Sequence, residues 1–232
     1  MSRYERIYEE SAEAYDLLVR AEDCDGALRA RLREVTGDLA GRDALELGFG
    51  TGRVTRWLLE AGARVRGVER APAMVALARA RLAAEGHDVS GLAVGDAYGA
   101  SFGASWAATA VAGWVFGHAV TWHPDDWQTR VRGALDAMRE AVVPGGAVVV
   151  IETLGTGHEL PSPPPSLEPY FDLLQDCGFT PAALRTDYAF DDAAAAERAT
   201  RFFFGDAMGD RVRERGWSRV PECTGLWVTR RG

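Results

Sequence analysis

Residues 43–62 combine a short apolar segment, a glycine-rich turn and an amphipathic helix, and this order constrains the possible fold strongly. The segment 43–47 is predicted to be a buried strand, and Gly48, Gly50 and Gly52 follow it directly. Glycines permit the tight turn between a strand and a helix, and they let the backbone approach a ligand closely. A strand, a glycine turn and a helix in this order are typical of the first unit of a parallel α/β sheet.

After this first unit, predicted strands and helices alternate along the chain. Short apolar segments predict further strands at residues 63–68, 92–94, 106–112, 147–151, 182–190 and 225–229. Apolar side chains at helical spacing predict helices at residues 54–61, 72–86, 127–142 and 167–177. This alternation implies an α/β, Rossmann-like, doubly wound fold, with a mostly parallel sheet covered by helices on both faces and right-handed crossovers.

Two segments outside the alternation are predicted to be helical. Residues 1–36 carry apolar and tyrosine side chains at helical spacing, with a break at residues 23–26, and predict an N-terminal helical cap. Residues 191–215 predict a late helical insertion before the last strand. The proline-rich segment 161–165 must be a loop, because proline cannot donate to a sheet ladder.

Charge and cysteine content limit the partners that this chain can have. The 232 residues include 34 acidic and 26 basic side chains, all of the latter arginine, and the net charge is -8. Such an acidic balance argues against a large nucleic-acid footprint. The polar N-terminus does not predict a signal peptide, and no segment approaches the roughly 20 apolar residues that span a bilayer. The 3 widely spaced cysteines form no metal motif, so we expect a cytoplasmic protein without a bound metal.

The spacing of the glycine turn distinguishes between possible ligands. A dinucleotide fingerprint needs glycines at positions 48, 50 and 53, but position 53 is Arg53 and the third glycine is Gly52. The acidic residue Glu46 precedes the turn, where it suits a positive amino group and repels a pyrophosphate. Both departures favour a ligand with an amino-acid part, such as the methionine part of S-adenosylmethionine (SAM).

Two acidic residues follow the next strands, where a nucleoside would lie. Glu69 ends the second strand, 21 residues after Gly48, and can accept hydrogen bonds from both ribose hydroxyls. Asp96 follows the third strand and can accept a hydrogen bond from the adenine amino group. Glu69 can equally be a surface residue and Asp96 a helix N-cap, but their register with the glycine turn favours a nucleoside site.

These residues resemble the motifs of the class I SAM-dependent methyltransferase superfamily, over about residues 43–151 and more loosely to the C-terminus. The matching positions are Glu46, Gly48, Gly50 and Gly52 in the first motif, Glu69 after the second strand, Asp96 with Ala97 at the adenine contact, and the turn 144–146 before the fifth strand. The resemblance implies a seven-stranded sheet with the last strand antiparallel, and SAM lying over the strand tips.

The sequence departs from the family in the fourth strand, where Trp106 stands in place of the frequent acidic residue. Segments 4–15 and 152–158 are similar to small bacterial methyltransferases that act on small molecules. We expect a single methyltransferase domain over residues 1–232. Its parts would be a helical cap at 1–36, a SAM-binding core at 43–151 and a substrate-side part at 152–232.

Candidate substrate-side residues follow the fourth and fifth strands. His118 can take a proton from a hydroxyl or amine nucleophile, and Glu152 can bind an amine or act as a base. Each can equally be structural, a histidine as a helix cap and a buried carboxylate as an arginine partner. Trp114, Tyr15 and Met74 are expected to complete the cofactor site, although an ordinary core or amphipathic helix face explains such residues almost as well.

The sequence therefore predicts methyl transfer from SAM to an oxygen or nitrogen of a small molecule, with S-adenosylhomocysteine (SAH) as the second product. A monomer or homodimer without nucleic-acid or membrane partners is expected. The first alternative is a SAM binder that does not methylate, such as a cyclase or isomerase, because a fold does not determine chemistry. A nicotinamide-dependent oxidoreductase and an RNA or protein methyltransferase are the others. Arg53 argues against the oxidoreductase, and the acidic charge argues against RNA.

Overall fold

A computed structural model describes residues 3–232, and a seven-stranded sheet forms its centre. In chain order the strands are β1 (Asp43–Leu47), β2 (Arg64–Glu69), β3 (Leu92–Val94), β4 (Ala107–Gly113), β5 (Val142–Thr156), β6 (Thr180–Arg185), β7 (Tyr188–Ala189), β8 (Arg219–Val220) and β9 (Glu222–Arg230). The order across the large sheet is β3-β2-β1-β4-β5-β9-β6. Pairs among β1 to β5 are parallel, whereas β9 is antiparallel to β5 and β6. The predicted mostly parallel seven-stranded sheet with an antiparallel last strand is confirmed.

The helices cover this sheet and one of its edges. In chain order they are α1 (Arg3–Glu10), α2 (Ala12–Ala21), α3 (Ala27–Thr36), α4 (Arg53–Glu60), α5 (Pro72–Ala84), α6 (Ala119–Trp122), α7 (Trp127–Ala141), α8 (Glu168–Asp176), α9 (Ala193–Phe204) and α10 (Asp206–Arg215). Within residues 3–232, none of the helices is long and apolar enough to cross a bilayer.

Apolar side chains pack on both faces of the sheet, which fixes it as the central layer. On one face, Leu32 of α3 and Leu58 of α4 belong to the same buried cluster as Leu82 of α5. On the other face, Leu135 of α7 and Leu174 of α8 are fully buried in a second cluster. The sheet is thus a doubly wound layer, and its functional surface has to lie at the strand ends.

The strand order reverses between β1 and β4, because β2 and β3 lie on one side of β1 and β4 with β5 on the other. At such a point the loops after two neighbouring strands diverge and leave a crevice outside their carboxyl ends. The loop after β1 begins at Gly48, and the loop after β4 contains Trp114 and Val115. The crevice between these two loops is where a ligand is expected.

Segments from distant parts of the chain close this crevice. α2 packs against α9 and against the small antiparallel sheet of β7 and β8, with Leu18, Tyr188, Ala196, Val212 and Val220 in a third buried cluster. The rings of Tyr4 and Tyr15 lie 5.2 and 5.4 Å from that of Phe203, centroid to centroid. The predicted helical cap and late insertion are therefore in contact with each other.

The predicted strand at residues 182–190 is wrong in its extent, because the chain leaves the large sheet after β6. Asp187 lies between β6 and β7, where it is buried and ion-paired with Arg185. Its carboxylate also accepts hydrogen bonds from Arg219 at 2.8 Å and from the backbone N–H of Glu222 at 3.1 Å. These bonds hold the chain in a turn that directs β7 towards the cap.

Candidate active site

The glycine turn lies between β1 and α4, and its first glycine packs directly against the loop after β4. Gly48 has φ +66°, and a Cβ there would overlap the Cγ2 methyl of Val115 and lie 3.2 Å from its Cγ1. Gly50 has φ +54°, but a Cβ there would meet no atom within 4 Å, because this glycine borders open space. The turn therefore presents its backbone to the crevice.

Gly52 lies behind the turn, immediately before α4, and the structure does not bring it into the crevice. It has φ +90°, and a Cβ there would lie 3.1 Å from Leu82 Cδ1 and 3.3 Å from Ala78 Cβ of α5. Gly52 therefore allows close packing of α4 against α5.

Glu69 connects the end of β2 to the glycine turn. Its Oε2 accepts a hydrogen bond from the Gly50 N–H at 3.1 Å, and its Oε1 accepts one from the Ala71 N–H at 2.9 Å. Burial raises the pKa of this carboxyl, while these backbone N–H groups oppose the shift. Each oxygen has a further lone pair, so Glu69 can hold two hydroxyl donors while it fixes the turn.

Glu46 lies beneath the turn and is 2 % exposed. The Thr55 hydroxyl of α4 donates to its Oε2 at 2.7 Å. Burial raises the pKa of Glu46 to about 8. Glu46 borders a separate cavity of about 40 Å³ beside Gly48 and Tyr15, rather than the main crevice. The small space and the buried acid fit a single amino group.

The crevice itself is a narrow cavity of about 80 Å³ at the carboxyl ends of β1, β2 and β4. Most of the predicted site residues line it: Gly48, Gly50, Glu69, Met74, Asp96, Ala97, Trp114, Tyr15 and His118. Asp96 is exposed, and its Oδ1 accepts a hydrogen bond from the Tyr98 N–H at 2.9 Å. The structure thus brings these sequence-predicted residues together, although Tyr15 and His118 are 103 positions apart in the sequence.

A second cavity of about 580 Å³ adjoins the first and lies under the cap. The side chains that line both cavities are Tyr8, Tyr15, Trp114 and His118. Trp114 has φ +54°, and the Arg53 guanidinium lies 4.2 Å from its ring centroid. An unusual backbone conformation of a non-glycine residue is typical of functional sites. The two cavities thus meet at an aromatic junction.

The central part of the chain matches a known family. Residues 44–146 match the model of the methyltransferase domain. This segment is a methyltransferase domain of the class I SAM-dependent type. The match supports a SAM-dependent methyltransferase with SAM as its methyl donor, as the sequence predicts. No curated protein sequence matches this methyltransferase.

Solved structures show the same fold at low sequence identity. A SAM-dependent methyltransferase from Thiobacillus denitrificans, in complex with SAH, is 16% identical, with 98% of each chain covered and a TM-score of 0.57. Phosphoethanolamine N-methyltransferase 2 from Haemonchus contortus, in complex with SAM, is 15% identical, with 100% of this chain and 60% of that chain covered and a TM-score of 0.59. The [4+2]-cyclase SpnF is 16% identical, with 88% of this chain and 80% of that chain covered and a TM-score of 0.56. The fold therefore hosts more than one chemistry.

His118 of this methyltransferase lies at the junction in contact with aromatic side chains. Its Nε2 and the Tyr8 hydroxyl share a hydrogen bond of 3.0 Å, and its ring stacks on Trp122 at 4.5 Å between centroids. Burial lowers the pKa of His118 to about 4, and the positive charge of Arg70 acts in the same direction. The near-neutral titration assumed from sequence is wrong for this environment, so the imidazole is neutral at pH 7.

Glu152 lies near the carboxyl end of β5 and borders only the larger cavity of the two. Its Oε2 accepts a hydrogen bond from the Gly117 N–H at 3.2 Å, and its Oε1 accepts one from the Thr153 N–H at 3.1 Å. Within the described residues it forms no ion pair with arginine, which was the structural alternative for this residue. Burial raises the pKa of Glu152 to about 7.

Several residues of the larger cavity escape prediction from sequence. Glu22, which follows α2, borders it together with Tyr188 of β7 and Glu222 of β9. A carboxylate shortly before the apolar segment 225–229 is a weak signal of a buried acid, but no local pattern predicts that these segments meet. His158, Phe203 and Phe204 also line this cavity.

Proposed function

We propose that this methyltransferase transfers the methyl group of SAM to an oxygen or nitrogen nucleophile of a small molecule bound in the larger cavity. The observation that carries the proposal is the aromatic junction, where four side chains border both cavities. A donor in the narrow cavity and an acceptor in the larger one would meet there. The larger cavity, at about 580 Å³, lies within the usual 300–1,000 Å³ range of small-ligand sites.

The residues of the narrow cavity fit SAM. Glu69 would accept the ribose hydroxyls, and Asp96 with Ala97 would contact the adenine. Glu46 would hold the amino group, because its buried carboxyl has no cation among its hydrogen-bond partners in the described chain. The remaining contacts are proposed for Gly48, Gly50, Met74, Trp114 and Tyr15, with Gly52 supporting the turn from behind. When bound, SAM supplies an activated methyl group that a nucleophile takes in one in-line displacement, which leaves SAH and frees the proton of the nucleophile.

The acceptor proton requires a base, and the two candidates differ in strength. Glu152 has a pKa of about 7, which matches a general base at neutral pH. His118 has a pKa of about 4 and shares its Nε2 with Tyr8, so it suits orientation of the acceptor better than proton removal. We therefore propose that Glu152 removes the proton of the acceptor and that His118 orients the acceptor. Proximity and orientation at the junction account for most of the rate.

We also propose that residues 1–232 act as a single methyltransferase domain in three parts. Residues 43–151 hold the cofactor, and residues 1–36 with 152–232 supply the walls of the acceptor cavity. The rings of Tyr15 and Phe203, 5.4 Å apart, join the two walls and exclude water from the junction.

Calorimetric titration with SAM, SAH and NADH tests the cofactor assignment. We expect saturable binding of SAM and SAH but not of NADH. Glu69→Ala removes two charge-assisted hydrogen bonds to the ribose, each worth about 1.5–3 kcal/mol, so SAH affinity should fall at least about a hundredfold. Glu214→Ala, which alters an exposed carboxylate of α10, is the matched control and should bind normally. NADH binding alone, or unchanged SAH binding by Glu69→Ala, contradicts the assignment.

Formation of SAH separates methyl transfer from the cyclase or isomerase alternative. A small-molecule library incubated with radiolabelled SAM should yield SAH and a labelled product in equal amounts. Turnover of a substrate with SAM bound and no SAH formed would instead support the non-methylating alternative.

A further inference from the structure

The larger cavity has more buried carboxyl groups than basic side chains. Glu22, Glu152 and Glu222 all border it, whereas Arg53 is the only arginine among its lining residues in the described chain. Arg53 is already committed, because its Nη1 donates to Glu22 at 2.7 Å and to the Val19 carbonyl at 3.0 Å. Among the described lining residues, the carboxyls of Glu152 and Glu222 therefore have no cation paired with them.

The hydrogen bonds of these carboxyls show which one lacks a partner. Glu22 is satisfied by Arg53 and by the Thr224 hydroxyl, which donates at 3.2 Å. Glu152 accepts a backbone N–H at each oxygen. Glu222 is 1% exposed; its Oε1 accepts from the Thr153 hydroxyl at 2.8 Å, whereas its buried Oε2 has no partner of good hydrogen-bond geometry in residues 3–232.

An unpaired buried carboxyl is unfavourable in its charged form. Burial raises the pKa of Glu222 to about 8, and the negative charge of Glu22 raises it further, while the hydroxyls of Thr153 and Thr156 and the more distant Arg53 oppose the shift. A cation placed at Oε2 would compensate the charge and supply the missing donor. No group of three His, Cys, Asp or Glu side chains within residues 3–232 can hold a metal ion, so an organic cation fits better.

Part of the remaining wall is apolar and aromatic. Leu18 of α2, Tyr188 of β7, and Phe203 and Phe204 of α9 border the same cavity. Aromatic faces attract organic cations and bury apolar groups. The wall therefore suits an amine with an apolar body.

Glu222 is also separated from Glu152, the proposed base, along the sheet. Glu152 pairs with Gly225 in the β5–β9 ladder, which places it three residues from Glu222 along β9. At roughly 3.3 Å per strand residue, the backbone positions are about 10 Å apart. An ammonium group has no lone pair, so a group held as a cation at Glu222 is not the nucleophile.

We infer that the methyl acceptor is a bifunctional amine, whose ammonium group binds Glu222 while a separate hydroxyl or neutral nitrogen receives the methyl group at the junction. This inference rests on the proposed function, because it names the substrate class of the same cavity. Glu222 thus acts as an anchor that selects charge and sets the distance to the reacting atom.

Three phenols of similar size test the anchor in the SAH-bound protein: tyramine (cationic), 4-(2-hydroxyethyl)phenol (neutral) and 4-hydroxyphenylacetate (anionic). We expect calorimetry at pH 7.5 to show tyramine binding at least tenfold tighter than the neutral analogue, and no binding of the anion. Glu222→Gln, which keeps the shape of the side chain, should reduce the preference for tyramine to less than threefold. Glu214→Gln, the same change at an exposed site on α10, should keep the full preference.

Thermal unfolding of each variant verifies that it is folded, and SAH affinity is measured in the same samples. Equal binding of tyramine and the neutral phenol by the unaltered protein, absence of tyramine binding, or full preference in Glu222→Gln each overturns the inference. If one of these outcomes occurs but SAH binding still depends on Glu69, the proposed function stands and only the inference about the acceptor fails. Loss of SAH binding itself would refute the proposed function instead.

Discussion

Replacement of Gly48 by alanine tests whether the glycine turn is fixed by the loop after β4. The backbone of Gly48 has φ +66°, which alanine adopts at a cost of about 1–2 kcal/mol. The new Cβ would also overlap the Cγ2 methyl of Val115, and such overpacking typically costs about 1–3 kcal/mol. The two costs have separate causes, so Gly48→Ala should lower the free energy of unfolding by about 2–5 kcal/mol.

Two other glycines in the same backbone region separate these costs. Gly216, after α10, has φ +62°, and a Cβ there would meet no atom within 4 Å, so Gly216→Ala should cost only the backbone part, about 1–2 kcal/mol. Gly50→Ala has the same backbone cost, but its methyl group would enter the cofactor cavity. We expect Gly50→Ala to weaken SAH binding more than tenfold with a stability loss similar to that of Gly216→Ala.

Urea unfolding followed by tryptophan fluorescence gives the stability of each variant, and calorimetry gives its SAH affinity. Gly48→Ala should be the least stable of the three variants. Gly50→Ala should show the largest loss of SAH affinity relative to its loss of stability. Equal unfolding midpoints for Gly48→Ala and Gly216→Ala would refute the reasoning, because Val115 would then not constrain the turn. Normal SAH binding by Gly50→Ala would show that the ligand does not approach this backbone.

Three further predictions concern titration and the junction. The pKa of Glu222 is raised to about 8, so the folded protein keeps a proton that the unfolded chain releases above about pH 4.3, and stability should fall as pH rises from 5 to 8. Urea unfolding at pH 5 and pH 8 should show a smaller fall in stability for Glu222→Gln than for the unaltered protein. An identical fall would contradict the raised pKa of Glu222. Tyr8→Phe removes the hydrogen bond to His118 Nε2 and should lower the free energy of unfolding by about 1–2 kcal/mol in the same assay. Unchanged stability would contradict this prediction. The methyl-transfer rate should drop below pH 7 as Glu152 gains its proton, and Glu152→Gln should be slow and pH-independent; a wild-type-like profile in that variant would exclude Glu152 as the base.

Local patterns predict the cofactor half of this molecule well. Strand β1, the glycine turn and the position of Glu69 depend on short-range periodicity and on turn chemistry, which a single sequence contains. β3 has the predicted bounds 92–94, and the predicted helix at 127–142 corresponds to α7 (Trp127–Ala141). At these elements the spacing of the apolar residues and the glycine that ends the element predict the same boundary.

The acceptor half depends on contacts between distant segments, so the sequence predicts it poorly. The turn at Asp187 exists because Arg219 and the backbone of Glu222, more than 30 positions later, bind its carboxylate. The low pKa of His118 arises from burial under α1, which no local pattern reveals. Tertiary contacts override strand propensity and reference pKa values at these positions.

The walls of the acceptor cavity are largely outside the seven-stranded sheet: α1 and α2 come from one end of the sequence, and α9 with β7 come from near the other. The proposed cofactor residues Gly48 and Glu69 instead lie at the carboxyl ends of the central strands β1 and β2. Substitutions at Tyr4 or Phe203 can therefore reshape what the cavity admits while the hydrogen bonds of the glycine turn stay intact. Under the proposed function, directed evolution of cap residues such as Tyr4 should change acceptor preference while the glycine turn is inherited unaltered.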